Sequence, residues 1–251
     1  MRDIIITGAS RGLGKSLSLG LSNKNTRLFL MARGDLSGTE KGAKAKGAGV
    51  RAYSLDIADT EELKNISLKI LSDIHKKAPE SVFLINNAAI LGPAGPSWKN
   101  APEEVEYHFR VNTLAPFILS SLFIRHLLDL PSRKRIVNIT SGAAMRPVSG
   151  WSSYCSSKVA LDMITRCIAL EQEGQKHPVK IVSVNPGVMD TKMQEELRNT
   201  SKRDFPDRDR YVDLFEQGEL PSPDTAAGKI IHLLESKNFP SGEIISIQDI
   251  E

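Results

Sequence analysis

The chain has 251 residues, with 33 Lys+Arg against 30 Asp+Glu for a formal net charge of +3, and it is 40% hydrophobic and 25% charged. About 100 apolar residues are ample for a core, so disordered, collagen-like and disulfide-scaffold chains are excluded. So small a positive surplus does not mark nucleic acid or an acidic membrane as a partner.

Met1 to Gly8 carries an acid and only three consecutive apolar residues, which is not a signal-peptide pattern, and a cytosolic protein is expected. Asp3 to Thr7 reads as the first strand. It runs into Thr7-Gly8-Ala9-Ser10-Arg11-Gly12-Leu13-Gly14 and a helix over Lys15 to Leu21. Glycines there let the chain turn tightly and bring the backbone of Gly8, Ser10, Arg11, Gly12, Leu13 and Gly14 against a pyrophosphate, which the positive helix end favours. A plain strand-to-helix turn is the other reading.

The second strand, Arg27 to Ala32, ends at Arg33, where a carboxylate would mark NAD by binding the ribose hydroxyls. Arg33 with Arg11 suits a 2′-phosphate instead, so NADP(H) is expected over NAD(H). Asp35 and a surface role for Arg33 keep the alternatives open. Gly34 to Gly49 reads as a frayed helix and loop. Val50 to Leu55 is the third strand and places Asp56 to accept from an adenine amino group or to serve as an ordinary cap. A helix follows over Asp59 to Lys76, then a fourth strand, Val82 to Asn86. Beyond it the small residues of Asn86-Asn87-Ala88-Ala89 allow close approach of a cofactor, and an Asn side chain can tie strands together.

Glu103 to Leu130 reads as a long helical segment that Pro116 should kink or divide. Strands over Arg135 to Thr140, Lys180 to Asn185 and Glu243 to Ile247 alternate with helices over Ser153 to Glu173 and Asp224 to Glu235. Seven strands with intervening helices predict an α/β fold, one doubly wound sheet of parallel strands with helices on both faces, as a single domain over 1–251. The mostly polar insertion at 188–220 is too long for a structureless loop and should form short helices over the carboxyl edge of the sheet, where such folds bind ligands. No apolar run approaches the roughly 18 residues that span a bilayer. Arg133-Lys134-Arg135 and Lys76-Lys77 read as solvated caps and loops. Cys155 and Cys167 share one helix about 18 Å apart, too far to bridge, and fit buried or neutral thiols. The five histidines show no ligand spacing, so they read as surface or packing residues and no metal is expected.

Ser141 precedes Tyr154 by thirteen residues, and Lys158 follows four residues later. The i, i+4 spacing puts Tyr154 and Lys158 on one helix face, where the ammonium should lower the phenol pKa and make it a usable acid. With 4 Tyr and 18 Lys in the chain, chance supplies a Tyr-x-x-x-Lys about 0.3 times, so the pair counts only beside the serine and the glycine turn.

Together these segments resemble the short-chain dehydrogenase/reductases: TGASRGLG near the start, NNAA at 86–89, Asn112 in Val111-Asn112-Thr113, Ser141, Tyr154 with Lys158, and Asn185-Pro186-Gly187 followed by Thr191. The resemblance covers essentially the whole chain and implies a Rossmann-like NADP-binding reductase. By it Tyr154 is the proton donor, Ser141 positions the substrate carbonyl, Lys158 binds the nicotinamide ribose and tunes Tyr154, and Asn112 supports a proton-relay water. Pro186, Gly187, Val188 and Thr191 would face the nicotinamide, and Asn87 and Ala88 would line the cofactor. Ala89 stands where the family usually has glycine. Within the family the chain is most similar to benzil reductases and sepiapterin reductases, through GWSSYC at 150–155, PGVMDTKMQ at 186–194 and FPSGE at 239–243. The pterin enzymes use a carboxylate near the C-terminus. Ser246 aligns there and cannot supply the charge, which favours a neutral aromatic diketone, although Asp249 would serve in a shifted alignment. Leu91, Met145, Trp151, Met189 and Met193 could line an apolar substrate pocket or simply pack. A homodimer or homotetramer built on the Glu103–Leu130 and Ser153–Glu173 helices is implied. A nucleotide-sensing protein without turnover is the reading from another class.

Overall fold

A computed structural model describes residues 1–250. Seven strands form one parallel sheet: β1 (Arg2–Thr7), β2 (Thr26–Ala32), β3 (Gly49–Ser54), β4 (Ser81–Asn86), β5 (Arg133–Ile139), β6 (Val179–Asn185) and β7 (Ile244–Ser246), in the spatial order β3-β2-β1-β4-β5-β6-β7. The order reverses between β1 and β4, which opens a crevice at their carboxyl ends. The helices are α1 (Gly12–Gly20), α2 (Ser37–Ala45), α3 (Thr60–Lys77), α4 (Pro102–Phe109), α5 (Ala115–Leu127), α6 (Ser152–Glu171), α7 (Lys192–Arg198), α8 (Arg208–Glu216) and α9 (Pro223–Glu235).

Strand side chains alternate between two cores. Ile4 and Ile6 of β1, Phe83 and Ile85 of β4 and Val182 and Val184 of β6 pack against α1, α2 and α9. Ile5, Leu84, Ile136 and Ile181 point the other way, against α3, α5 and α6. Because both faces are covered, the central strands read as unbroken apolar runs. Among the described residues no helix is long and apolar enough to cross a membrane.

Several sequence expectations are corrected. The helix expected from Lys15 begins at Gly12, because the glycine turn is already its first turn. Gly34–Gly49 contains a regular nine-residue helix, α2. The Glu103–Leu130 segment is divided by a wide π turn, Arg110–Leu114, just ahead of Pro116, which has no N–H to return to residue 112. Lys134 and Arg135 are buried, not solvated. Lys134 Nζ donates to the carbonyls of Leu127, Leu128 and Leu130 at 2.9, 3.3 and 2.6 Å, and Arg135 donates to Leu234 at 2.5 Å and lies over Phe239. Each cation thus supplies donors at the carboxyl end of a helix, where the last carbonyls run short of intrahelical N–H groups, α5 and α9 respectively. Cys155 and Cys167 do share α6, but Cys167 is exposed.

Candidate active site

A cleft of about 1010 Å³ runs along the carboxyl ends of the strands. Every candidate site residue lines it except Gly14 and Asn112. Met145, also considered for the substrate pocket, is 77% exposed and does not line it.

The first end of the cleft is the β1–α1 turn. Gly8 has φ +67°, and a Cβ there would lie 2.8 Å from Asn87 Nδ2. A Cβ on Gly14 would lie 2.2 Å from the Gly8 carbonyl oxygen, so Gly14 serves by letting α1 sit directly on the turn. At Gly12 the same position meets only Thr191, at 3.5 Å. Arg11 caps α1 with extended backbone and no side-chain hydrogen bond, and the first turn holds no acid. The leading N–H groups are therefore left for an anion, and the cradle fits a pyrophosphate. Asn87 ties β4 to this turn: its Nδ2 donates to Thr7 O at 2.9 Å, and Thr7 Oγ1 accepts from the N–H groups of Asn87 and Ala88, both at 3.0 Å.

Beyond the ends of β2 and β3, Arg33, Asp56 and Tyr107 form a cluster. Arg33 donates to the Tyr107 hydroxyl at 2.5 Å, and that hydroxyl donates to Asp56 Oδ2 at 2.6 Å. Asp56 Oδ1 meanwhile accepts from Ala58 N, so the cap role is also filled. Burial and the Asp56 carboxylate push the Tyr107 phenol up. The Arg33 side chain is 59% exposed and is a cation available to a ligand. Tyr107 was missed by sequence reasoning, since a tyrosine on a helix carries no motif.

Past the end of β5, Ser141 caps a short turn and accepts from Ala143 N at 3.2 Å. Tyr154 and Lys158 lie one turn apart on α6, with Lys158 Nζ 5.8 Å from the Tyr154 ring centre and donating to Ile139 O at 2.9 Å. The expectation that Lys158 lowers the Tyr154 pKa is corrected: burial dominates and pushes the phenol up to about 12, with Ser141 pulling the other way. Burial also brings Lys158 down to about 8, opposed by Asp162. Asn112, inside the π turn, is 1% exposed, and its amide is held by both backbone groups of Ile90 and by His108.

Tyr154 continues into an aromatic wall. Trp151 lies edge-on to it at 5.3 Å, stacks on Phe205 at 4.7 Å and 16°, and meets Tyr211 at 5.9 Å. Phe205 and Tyr211 come from the 188–220 segment, where α7 and α8 bring Met193, Leu197 and Tyr211 to the cleft. Both aromatics were missed. The only signal was aromatic residues recurring in an otherwise polar stretch.

A Rossmann-like sheet with this glycine cradle and a Ser-Tyr-Lys set defines a nicotinamide-dependent oxidoreductase. The chain belongs to the short chain dehydrogenase family, whose sequence profile matches residues 2–202. It is 39% identical over 249 residues to a benzil reductase ((S)-benzoin forming) of Bacillus cereus, covering 99% of this chain and 100% of that one. It is 32% identical to a sepiapterin reductase of Meriones unguiculatus, covering 98% and 95%. Among solved structures, an NAD+-bound xylitol dehydrogenase superposes with a TM-score of 0.84 at 20% identity, covering 98% and 97%. A metagenomic short-chain oxidoreductase in complex with NADP gives 0.74 at 22%, covering 98% and 96%.

Proposed function

We propose that this chain is an NADPH-dependent ketone reductase acting on a benzil-type aromatic diketone and yielding the hydroxy-ketone. The observation that carries the reading is the joining, in one cleft, of the bare glycine cradle, the Ser141-Tyr154-Lys158 set and an aromatic wall of Trp151 and Tyr211 that the buried Phe205 backs. NADPH, when bound, supplies hydride to the carbonyl carbon. Gly8, Ser10, Arg11, Gly12 and Leu13 hold its pyrophosphate, and Arg11 and Arg33 face the 2′-phosphate, which separates NADP from NAD. Lys158 binds the nicotinamide ribose, while Pro186, Gly187, Val188 and Thr191 pack beside the nicotinamide. Tyr154 keeps its proton across the neutral range and gives it to the carbonyl oxygen, and Ser141 donates a hydrogen bond to the charge developing there. Asn112 acts indirectly, by fixing Ile90.

Trp151, Met189 and Met193 offer apolar surface to the aromatic rings, and the 39% identity to a benzil reductase points the same way. Neither Ser246 nor Asp249 lines the cleft, which weighs against a pterin anchored from the C-terminus. One observation favours sepiapterin as a second reading: Asp190 and Asp224 are exposed carboxylates of the same lining. NADPH oxidation measured with benzil, isatin, small diketones and sepiapterin tests the proposal. Benzil turnover far above sepiapterin is the expected result. The reverse ranking replaces the diketone, and no turnover with any ketone returns the chain to a nucleotide sensor.

A further inference from the structure

His108, on α4, is fully buried and belongs to none of the groups used so far. Its surroundings fix its protonation by geometry. Asn112 Oδ1 accepts from Ile90 N at 2.9 Å and Asn112 Nδ2 donates to Ile90 O at 2.9 Å, so the amide can face only one way. The second Nδ2 hydrogen has His108 Nε2 as its nearer acceptor, 2.9 Å away, with Ser157 Oγ at 3.4 Å. The Gly92 carbonyl beside Nδ1 can only accept, so the ring proton of the neutral imidazole sits on Nδ1 and Nε2 is left bare to accept from Asn112. The two ends of the ring fit the same tautomer.

The same imidazole reaches the helix that carries Tyr154. Ser157 Oγ lies 3.1 Å from Nε2 and donates to Tyr154 O at 2.8 Å, and the His108 and Tyr154 rings stand edge to face at 6.2 Å. Ile90 and Leu91, between the two anchored carbonyls of Ile90 and Gly92, line the cleft. We propose that His108 is a positioning residue of the reductase, which by accepting from Asn112 and donating to Gly92 holds the 90–92 wall in place against Tyr154. The inference rests on the reductase reading above. A second proton, on Nε2, would be taken by Ser157 Oγ, whose own hydrogen goes to Tyr154 O, and would set donor against donor at Asn112, drawing the ring off that wall, so turnover should acquire an acid limb. The titratable groups facing the ring are Lys158 and Tyr154 of α6, while the 90–92 loop presents only backbone. Burial and the Lys158 charge both hold the imidazole neutral, against the Gly92 and Ser153 carbonyls.

The test compares two variants of the NADPH-loaded enzyme. His108→Phe keeps a ring but loses both hydrogen bonds, and His108→Gln retains a donor and an acceptor and does not titrate. His108→Phe should lower kcat at least tenfold while leaving NADPH affinity within twofold. His108→Gln should turn over at least fivefold faster than His108→Phe and lack the wild-type acid limb. Wild-type kcat in His108→Phe, or no recovery in His108→Gln, would reduce His108 to core packing. Should His108→Phe not fold, imidazole ¹⁵N shifts of the wild-type protein at pH 7 decide the matter: a proton on Nε2 overturns the proposal. If Tyr154→Phe reduces ketones normally the reductase reading itself fails, an outcome the tautomer measurement distinguishes from failure at His108.

Discussion

Burial holds Tyr154 protonated and Lys158 less firmly so, and these opposite shifts separate their contributions at the residue scale. Tyr154→Phe removes a proton donor with little change of volume. General acid catalysis is worth about 10²- to 10⁴-fold, so kcat for ketone reduction should fall by that much while NADPH affinity stays within about threefold. Steady-state NADPH oxidation and a fluorescence titration check the two halves. Burial brings the Lys158 ammonium down to about 8, so in the proposed role the charge offered to the cofactor is lost as pH rises through that value. Since kcat/KM reports the free enzyme, kcat/KM for NADPH should decline above about pH 8. In Lys158→Met it should be low at every pH, with that limb gone. A wild-type profile flat to pH 10 would contradict the assignment.

At the scale of elements, helix ends decide more than helix interiors. The buried ammonium of Lys134 closes the carboxyl end of α5 by three hydrogen bonds. Lys134→Met should strip the ammonium from the Leu128 and Leu130 carbonyls, Leu127 keeping the Leu130 N–H, at a cost of about 2 kcal/mol. For a chain of this size that lowers Tm by about 4–8 °C, measurable by calorimetry. At the other helix end that matters, Gly14→Ala would drive a methyl to 2.2 Å from the Gly8 carbonyl and lift α1 off the turn. NADPH binding should weaken at least tenfold in that variant, as titration calorimetry would show, with benzil turnover lost in proportion. Unchanged affinity would mean that the cradle does not hold the phosphate.

At the scale of the whole molecule, Leu114 and Phe117 at the start of α5 and Val159, Met163 and Leu170 on α6 stay exposed although their helices pack together. Apolar side chains left on neighbouring elements suit a second copy of the chain. Light scattering on an eluting column should show a dimer or tetramer, and Met163→Glu should shift it to a smaller species. An unchanged mass would move the interface elsewhere.

Much of the architecture was readable in the sequence, because strand alternation, the glycine turn and the Tyr154–Lys158 spacing are local properties of the chain. Seven strands were placed to within two residues at either end on that basis. The break in the Glu103–Leu130 segment was also foreseen, though at Pro116 and not at the π turn before it. Local pattern could not tell that Lys134 and Arg135 are buried, because their partners are carbonyls at the ends of α5 and α9, one of them 99 residues away. Nor could it place Phe205 and Tyr211 against Trp151, or single out His108 among five histidines. The direction of the Tyr154 shift had the same origin: the phenol's exclusion from water sets it, and Ser141, not Lys158, pulls the other way. Residue type and spacing thus determined the fold, the glycine turn after β1 and the placing of Tyr154 and Lys158 one turn apart on α6. Burial, hydrogen-bond partners and the aromatic wall were decided only by tertiary structure, since desolvation and pairing depend on which distant groups the fold brings within a few ångströms.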